Sequence, residues 1–175
     1  MWAEADQIWD RHQGDAGFGC YVSADYQAVY DSLLNIEGRV TFLEWGSGLG
    51  VATIMASRMG FDAYGIEAES VLIEHSHALA EQYGPNAQFA QGSFIPDEFE
   101  WDPAAGEEVA VTFIDQPSAY GELDMELRDF DLVYAYPWPT EISLYGSIVR
   151  QFGRTGAMLL CYNAREGMQE FVFDN

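Results

Sequence analysis

The chain has 175 residues, 49% of them apolar and 15% aromatic, enough to bury the core of one ordinary domain and too aromatic for a disordered tail. Its 29 acidic side chains face only 7 basic ones, all arginine, for a net charge of −22. That leaves no cationic face for a phosphate backbone, so nucleic acid is not expected as a direct partner.

No apolar run approaches the roughly 18 residues of a membrane span. The acidic start, Met1 to Asp6, lacks the basic and then apolar pattern of a signal peptide, so a cytoplasmic location is expected. The acidity has two readings: a salt-adapted surface that keeps the protein dissolved, or attraction of a cationic acceptor. Cys20 and Cys161 stand far apart with no metal-ligand neighbours, and both are read as reduced thiols.

In chain order, residues 1–37 read as one or two helices packed outside a sheet, broken by Gly14, Gly17 and Gly19, with Tyr26, Val29, Tyr30, Leu33 and Leu34 at helical spacing. An alternating pattern follows. Val40–Trp45 is a strand, Val51–Met59 a helix stopped by Gly60, Ala63–Glu67 a strand, and Val71–Tyr83 a helix closed by Gly84-Pro85. Ala87–Gln91 and Phe130–Tyr136 are further strands. Glu141–Phe152 is a helix with Thr140 as N-cap and Gly153 as stop. Between them, 97–128 is irregular, with a strand at Val109–Ile114 and a short helix near Ala119–Leu127.

Ala157–Tyr162 and Met168–Phe173 close the chain, and the link between them is too short for a parallel crossover. The expectation is a single α/β domain over 1–175, a Rossmann-like doubly wound sheet ordered 3-2-1-4-5 plus an antiparallel C-terminal edge strand, with Phe171 and Phe173 on one face.

The informative segment is Phe42-Leu43-Glu44-Trp45-Gly46-Ser47-Gly48-Leu49-Gly50, at a strand-to-helix turn. Its glycines let the backbone turn sharply and let a ligand approach closely, and the next helix points its N-terminal amides at the same crevice. The spacing argues against a nicotinamide dinucleotide, whose third glycine would stand at Val51. Glu44, just before the loop, would repel a pyrophosphate and suits a cofactor carrying an ammonium and a sulfonium. Tyr64-Gly65-Ile66-Glu67 ends the second strand with an acid about 20 residues past the first glycine, the spacing of a carboxylate that takes ribose hydroxyls.

With these residues the sequence resembles the class I S-adenosylmethionine-dependent methyltransferases over roughly 38–163. The resemblance implies S-adenosyl-L-methionine as cofactor, held by Gly46, Ser47, Gly48 and Gly50 with Glu44 as the leading acid and Glu67 on the ribose. Gln91-Gly92-Ser93-Phe94 looks like the family's adenine-contact segment, with Ser93 where an acid often stands. Cys20-Tyr21-Val22-Ser23 resembles a Tyr-Val-Pro-Thr or Tyr-Val-Pro-Ser element found in some protein-lysine methyltransferases, which makes Tyr21 a further cofactor contact. The family's sheet has seven strands. Here the short link implies that the last strand takes the place of the seventh, with the preceding helix and sixth strand absent.

On the acceptor side, Tyr136-Pro137-Trp138-Pro139 follows the fourth strand, where methyltransferases of amide or base nitrogens carry an Asn/Asp/Ser-Pro-Pro-aromatic element. Its polar first residue is absent here. The two prolines stiffen a loop projecting Tyr136 and Trp138, taken as acceptor-side residues able to line a pocket or face a cation. His75 and His77 are two apart on a helix and turn to different faces, so no metal site is expected. The reading is methyl transfer to a protein side chain or small molecule. The alternative is a cofactor-binding regulatory or scaffold domain without turnover, and a nicotinamide oxidoreductase comes third.

Overall fold

A computed structural model of the chain describes residues 1–100 and 116–174. Six strands form one sheet ordered β3-β2-β1-β4-β5-β6: β1 (Thr41–Trp45), β2 (Asp62–Glu67), β3 (Gln88–Gln91), β4 (Leu132–Ala135), β5 (Ala157–Asn163) and β6 (Gly167–Phe173). The first five run parallel and β6 pairs antiparallel with β5, as expected from the short link. The described helices are α1 (Trp2–His12), α2 (Tyr26–Leu34), α3 (Val51–Arg58), α4 (Ser70–Tyr83), α5 (Tyr120–Leu123) and α6 (Ile142–Phe152).

Strand alternation divides the core. Leu43, Trp45, Val133, Leu159 and Cys161 pack with the apolar stripe of α6. Phe42, Leu132, Tyr134 and Leu160 pack on the other face against α2 and α3. β1 and β4 sit centrally, and all four residues of β4 are buried. A covered sheet of this kind reads as short continuous apolar runs, which is why these strands were visible in the sequence. Among the described residues, no helix is long and apolar enough to cross a membrane.

The β5–β6 hairpin turns on Asn163, whose Oδ1 accepts the amides of Arg165 (2.9 Å) and Glu166 (3.4 Å). Gly167 then takes φ +78°, a left-handed conformation that closes short hairpins. Phe173 buries against α6, and Phe171, two residues away on the same face, is half exposed at the sheet edge.

Three expected features differ among the described residues, and a fourth falls outside them. The strand expected at Val109–Ile114 lies outside the described residues. The helix expected near Ala119–Leu127 is a single turn, because Asp124 adopts φ +52° and ends it, and a separate 3-10 turn follows at Leu127–Asp129. That turn reaches Phe130, whose amide bonds back to Leu127, so β4 starts at Leu132. Thr140 is not the cap of α6. The Glu141 amide bonds to the Trp138 carbonyl at 2.9 Å, closing a turn over Pro139 and Thr140, and Glu141 takes the N-cap position.

Candidate functional site

The parallel strands all end on one side, and the chain order reverses between β1 and β4. In open α/β sheets that switch point is where ligands bind. A cavity of about 670 Å³ opens there, within the size range of small-molecule sites. Its walls come from the turn after β1, the ends of β2 and β3, the loop after β4, the β5–β6 hairpin and the segment between α1 and α2.

Of the residues expected from sequence, Tyr21, Gly46, Gly48, Glu67, Gly92, Ser93, Tyr136 and Trp138 line this cavity. Gly46 takes φ +66°, and a Cβ there would meet no protein atom within 4 Å. Its freedom from a side chain is therefore not required by packing and leaves open space at the wall. Glu67 is buried at the end of β2. Its Oε2 accepts the Gly48 amide at 2.8 Å and its Oε1 the Glu69 amide at 3.0 Å. Burial pushes its pKa up, against the pull of these amides. A carboxylate offers about four lone-pair positions, so acceptor capacity is left for hydroxyls.

Three expected residues lie behind the wall instead. Glu44 shares a face with Phe42 and Tyr134, not with the cavity-lining Trp45, because successive side chains alternate. Its Oε2 accepts the Thr53 amide (2.8 Å) and hydroxyl (2.6 Å), tying the first turn of α3 to β1. Burial drives its pKa up to about 8, the Thr53 bonds oppose this, and the field of Glu67 adds to it. The structure thus gives Glu44 a partner in Thr53, where the sequence suggested the cofactor's cationic end.

Gly50 caps α3, and a Cβ there would fall 2.5 Å from the Phe89 ring, so it is a glycine for core packing. Ser47 holds the loop through its amide to the Ile66 carbonyl (2.9 Å), and its buried hydroxyl has no partner among the described residues. Ser93 Oγ accepts the Ile95 amide at 3.1 Å, so it turns the chain after β3 as well as lining the cavity.

The sequence reading missed an aromatic floor. Trp45, Phe94 and Tyr145 line the cavity, with Trp45 stacked on Phe94 (4.7 Å between centroids) and Tyr145 against both (5.5 and 5.0 Å). The Trp45 indole N–H donates to the Tyr120 hydroxyl at 3.0 Å. Period-2 counting from Leu43 would have put Trp45 on this face.

No protein-family model and no curated protein matches the sequence. Solved structures do. An RNA methyltransferase from Salinibacter ruber, in complex with S-adenosyl-L-homocysteine, superposes with TM-score 0.61 at 14% identity, over 89% of this chain and 95% of its own. An O-methyltransferase from Bacillus cereus in complex with SAH gives TM-score 0.60 at 16% identity, over 94% of this chain and 66% of its own. A putative S-adenosyl-L-methionine-dependent methyltransferase from Methanococcus maripaludis gives 0.54 at 13%, over 91% and 60%.

The fold is that of the class I S-adenosylmethionine-dependent methyltransferases. The chain spans nearly all of the first neighbour and two-thirds or less of the other two. Within this methyltransferase fold, its cavity occupies the crevice at the carboxyl ends of the strands, and β6 follows β5 directly through the hairpin.

Proposed function

We propose that the chain binds S-adenosylmethionine in this cavity and transfers its methyl group to an acceptor lying toward the Tyr136–Pro139 loop. The observation that carries the reading is the pairing of Gly46, open to the cavity with no packing reason to be glycine, with the buried Glu67 carboxylate beside it. A backbone bare of Cβ suits close approach of the cofactor, and Glu67 suits its ribose hydroxyls. Gly92 and Ser93, at the end of β3, would flank the adenine.

A bound cofactor would supply an electrophilic methyl carbon for an acceptor lone pair, with the C–S electron pair left on sulfur and any acceptor proton lost to solvent. The protein's task is then mainly alignment and exclusion of water. Tyr21 packs over Gly48 and is held by its hydroxyl against that of Tyr26 (2.8 Å), which roofs one end of the cavity.

One observation favours a second reading, a cofactor-binding scaffold without turnover. Tyr136 stands on the cavity wall at the place where methyltransferases of amide or base nitrogens carry a hydrogen-bonding Asn, Asp or Ser. Calorimetry with S-adenosylmethionine, S-adenosylhomocysteine and NAD tests the binding step. Micromolar binding of the first two and none of NAD is expected, and preference for NAD would overturn the assignment. Release of methyl from labelled cofactor to added acceptors then separates enzyme from scaffold.

A further inference from the structure

Cofactor roles fall on the ends of β1, β2 and β3. The same cavity continues past the end of β4 to the β5–β6 hairpin, where Tyr136, Trp138 and Tyr145 have no such role. Trp138 lines the cavity and is 44% exposed, and the prolines on both sides restrict the backbone that carries it. Tyr136 is set edge-to-face on Tyr162 at 4.9 Å.

Two ligand chemistries suit aromatic walls: a cation in a cage, or a flat ring in a stack. A cage needs ring faces converging on one void. Here Trp45 and Phe94 lie nearly parallel (14°) with faces turned onto each other, and Tyr145 packs into the same group, so these rings form a floor. We propose that this end of the cavity binds a small planar aromatic acceptor, stacked on Trp138 above that floor. The inference rests on the methyltransferase reading.

Binding to the protein saturated with S-adenosylhomocysteine tests this, using 2-naphthol, its saturated analogue decahydro-2-naphthol, and choline. The expected result is measurable binding of 2-naphthol at least ten-fold tighter than of decahydro-2-naphthol, and none of choline. Trp138→Ala should weaken 2-naphthol at least ten-fold, with S-adenosylhomocysteine affinity within two-fold of wild type, and Trp138→Phe should recover most of the loss. Equal binding of the flat and puckered rings, preference for choline, indifference to Trp138→Ala, or no 2-naphthol binding would each overturn the inference. Failure of S-adenosylhomocysteine itself to bind would overturn the methyltransferase reading instead.

Discussion

The Tyr21 ring lies over Gly48 so closely that a β-carbon on that glycine would stand 2.6 Å from Cδ2. The glycine is thus filled from the protein side, by the segment that joins α1 to α2. A side chain at Gly48 would meet Tyr21 before any ligand, so the glycine that tests the ligand's approach is Gly46.

Gly46→Ala places a methyl into open cavity and forces a left-handed alanine, a strain of about 1–2 kcal/mol. Affinity for S-adenosylhomocysteine should fall at least ten-fold with a modest drop in thermal stability. Gly48→Ala should instead displace Tyr21 and lower binding and stability together. If Gly46→Ala binds like wild type in calorimetry, that glycine does not face the ligand.

Glu67 gives a pH signature. Burial raises its pKa, whereas ribose hydroxyls donating to it would favour the charged form, so binding expels a proton. Affinity should therefore rise with pH until Glu67 is ionised in the free protein. Hydrogen bonds to a charged group contribute about 1.5–3 kcal/mol, so Glu67→Ala should weaken S-adenosylhomocysteine about ten- to a hundred-fold. It should also flatten the pH profile. An unchanged affinity places the ribose elsewhere.

Glu44 predicts the stability profile. Its folded pKa, near 8, lies above the unfolded value near 4.5, so the folded state holds the proton more tightly. The stability this gives is complete below about pH 4.5 and is lost as pH rises toward 8. Glu44→Gln keeps an acceptor for Thr53 and carries no charge, so its denaturant midpoint should vary less than wild type across that window. Parallel curves would show that Glu44 is not the titrating group.

The α1–α4 contact predicts the opposite trend. His75 lies 5.4 Å from the His12 ring, and burial, then His12, lower its pKa, with Arg11 adding to this and Glu74 opposing. Asp15 pairs with His12 at 2.7 Å. A lowered folded pKa means stability present above pH 6.5 and lost as pH falls through the folded value. His75→Gln should lessen the loss of stability as pH falls below 6.5. A wild-type and variant that decline together would assign that loss to other groups.

Much of the sheet was legible because its evidence is local. Apolar runs end at glycines, Glu67 stands at dinucleotide-like spacing, and five residues between the last two strands admit only a hairpin. The misreadings arose where backbone or tertiary detail decides. Nothing in the sequence announces a left-handed Asp124, which cuts α5 to one turn. The Trp138–Glu141 turn moves the cap of α6 by one residue. Glu44 was read from its nearness to the glycine loop, although alternation along β1 turns it to the other face, where Thr53 waits. The aromatic floor draws Trp45, Phe94 and Tyr145 from three separate elements, so only packing reveals it.

The central claim is that the cavity between Gly46 and Glu67 holds S-adenosylmethionine. A crystal structure of the protein with S-adenosylhomocysteine tests it most directly. The account predicts the nucleoside in the cavity, both ribose hydroxyls within hydrogen-bond distance of the Glu67 carboxylate, and the ligand backed against Gly46. Ligand bound elsewhere, or in the cavity with its ribose turned away from Glu67, would contradict it.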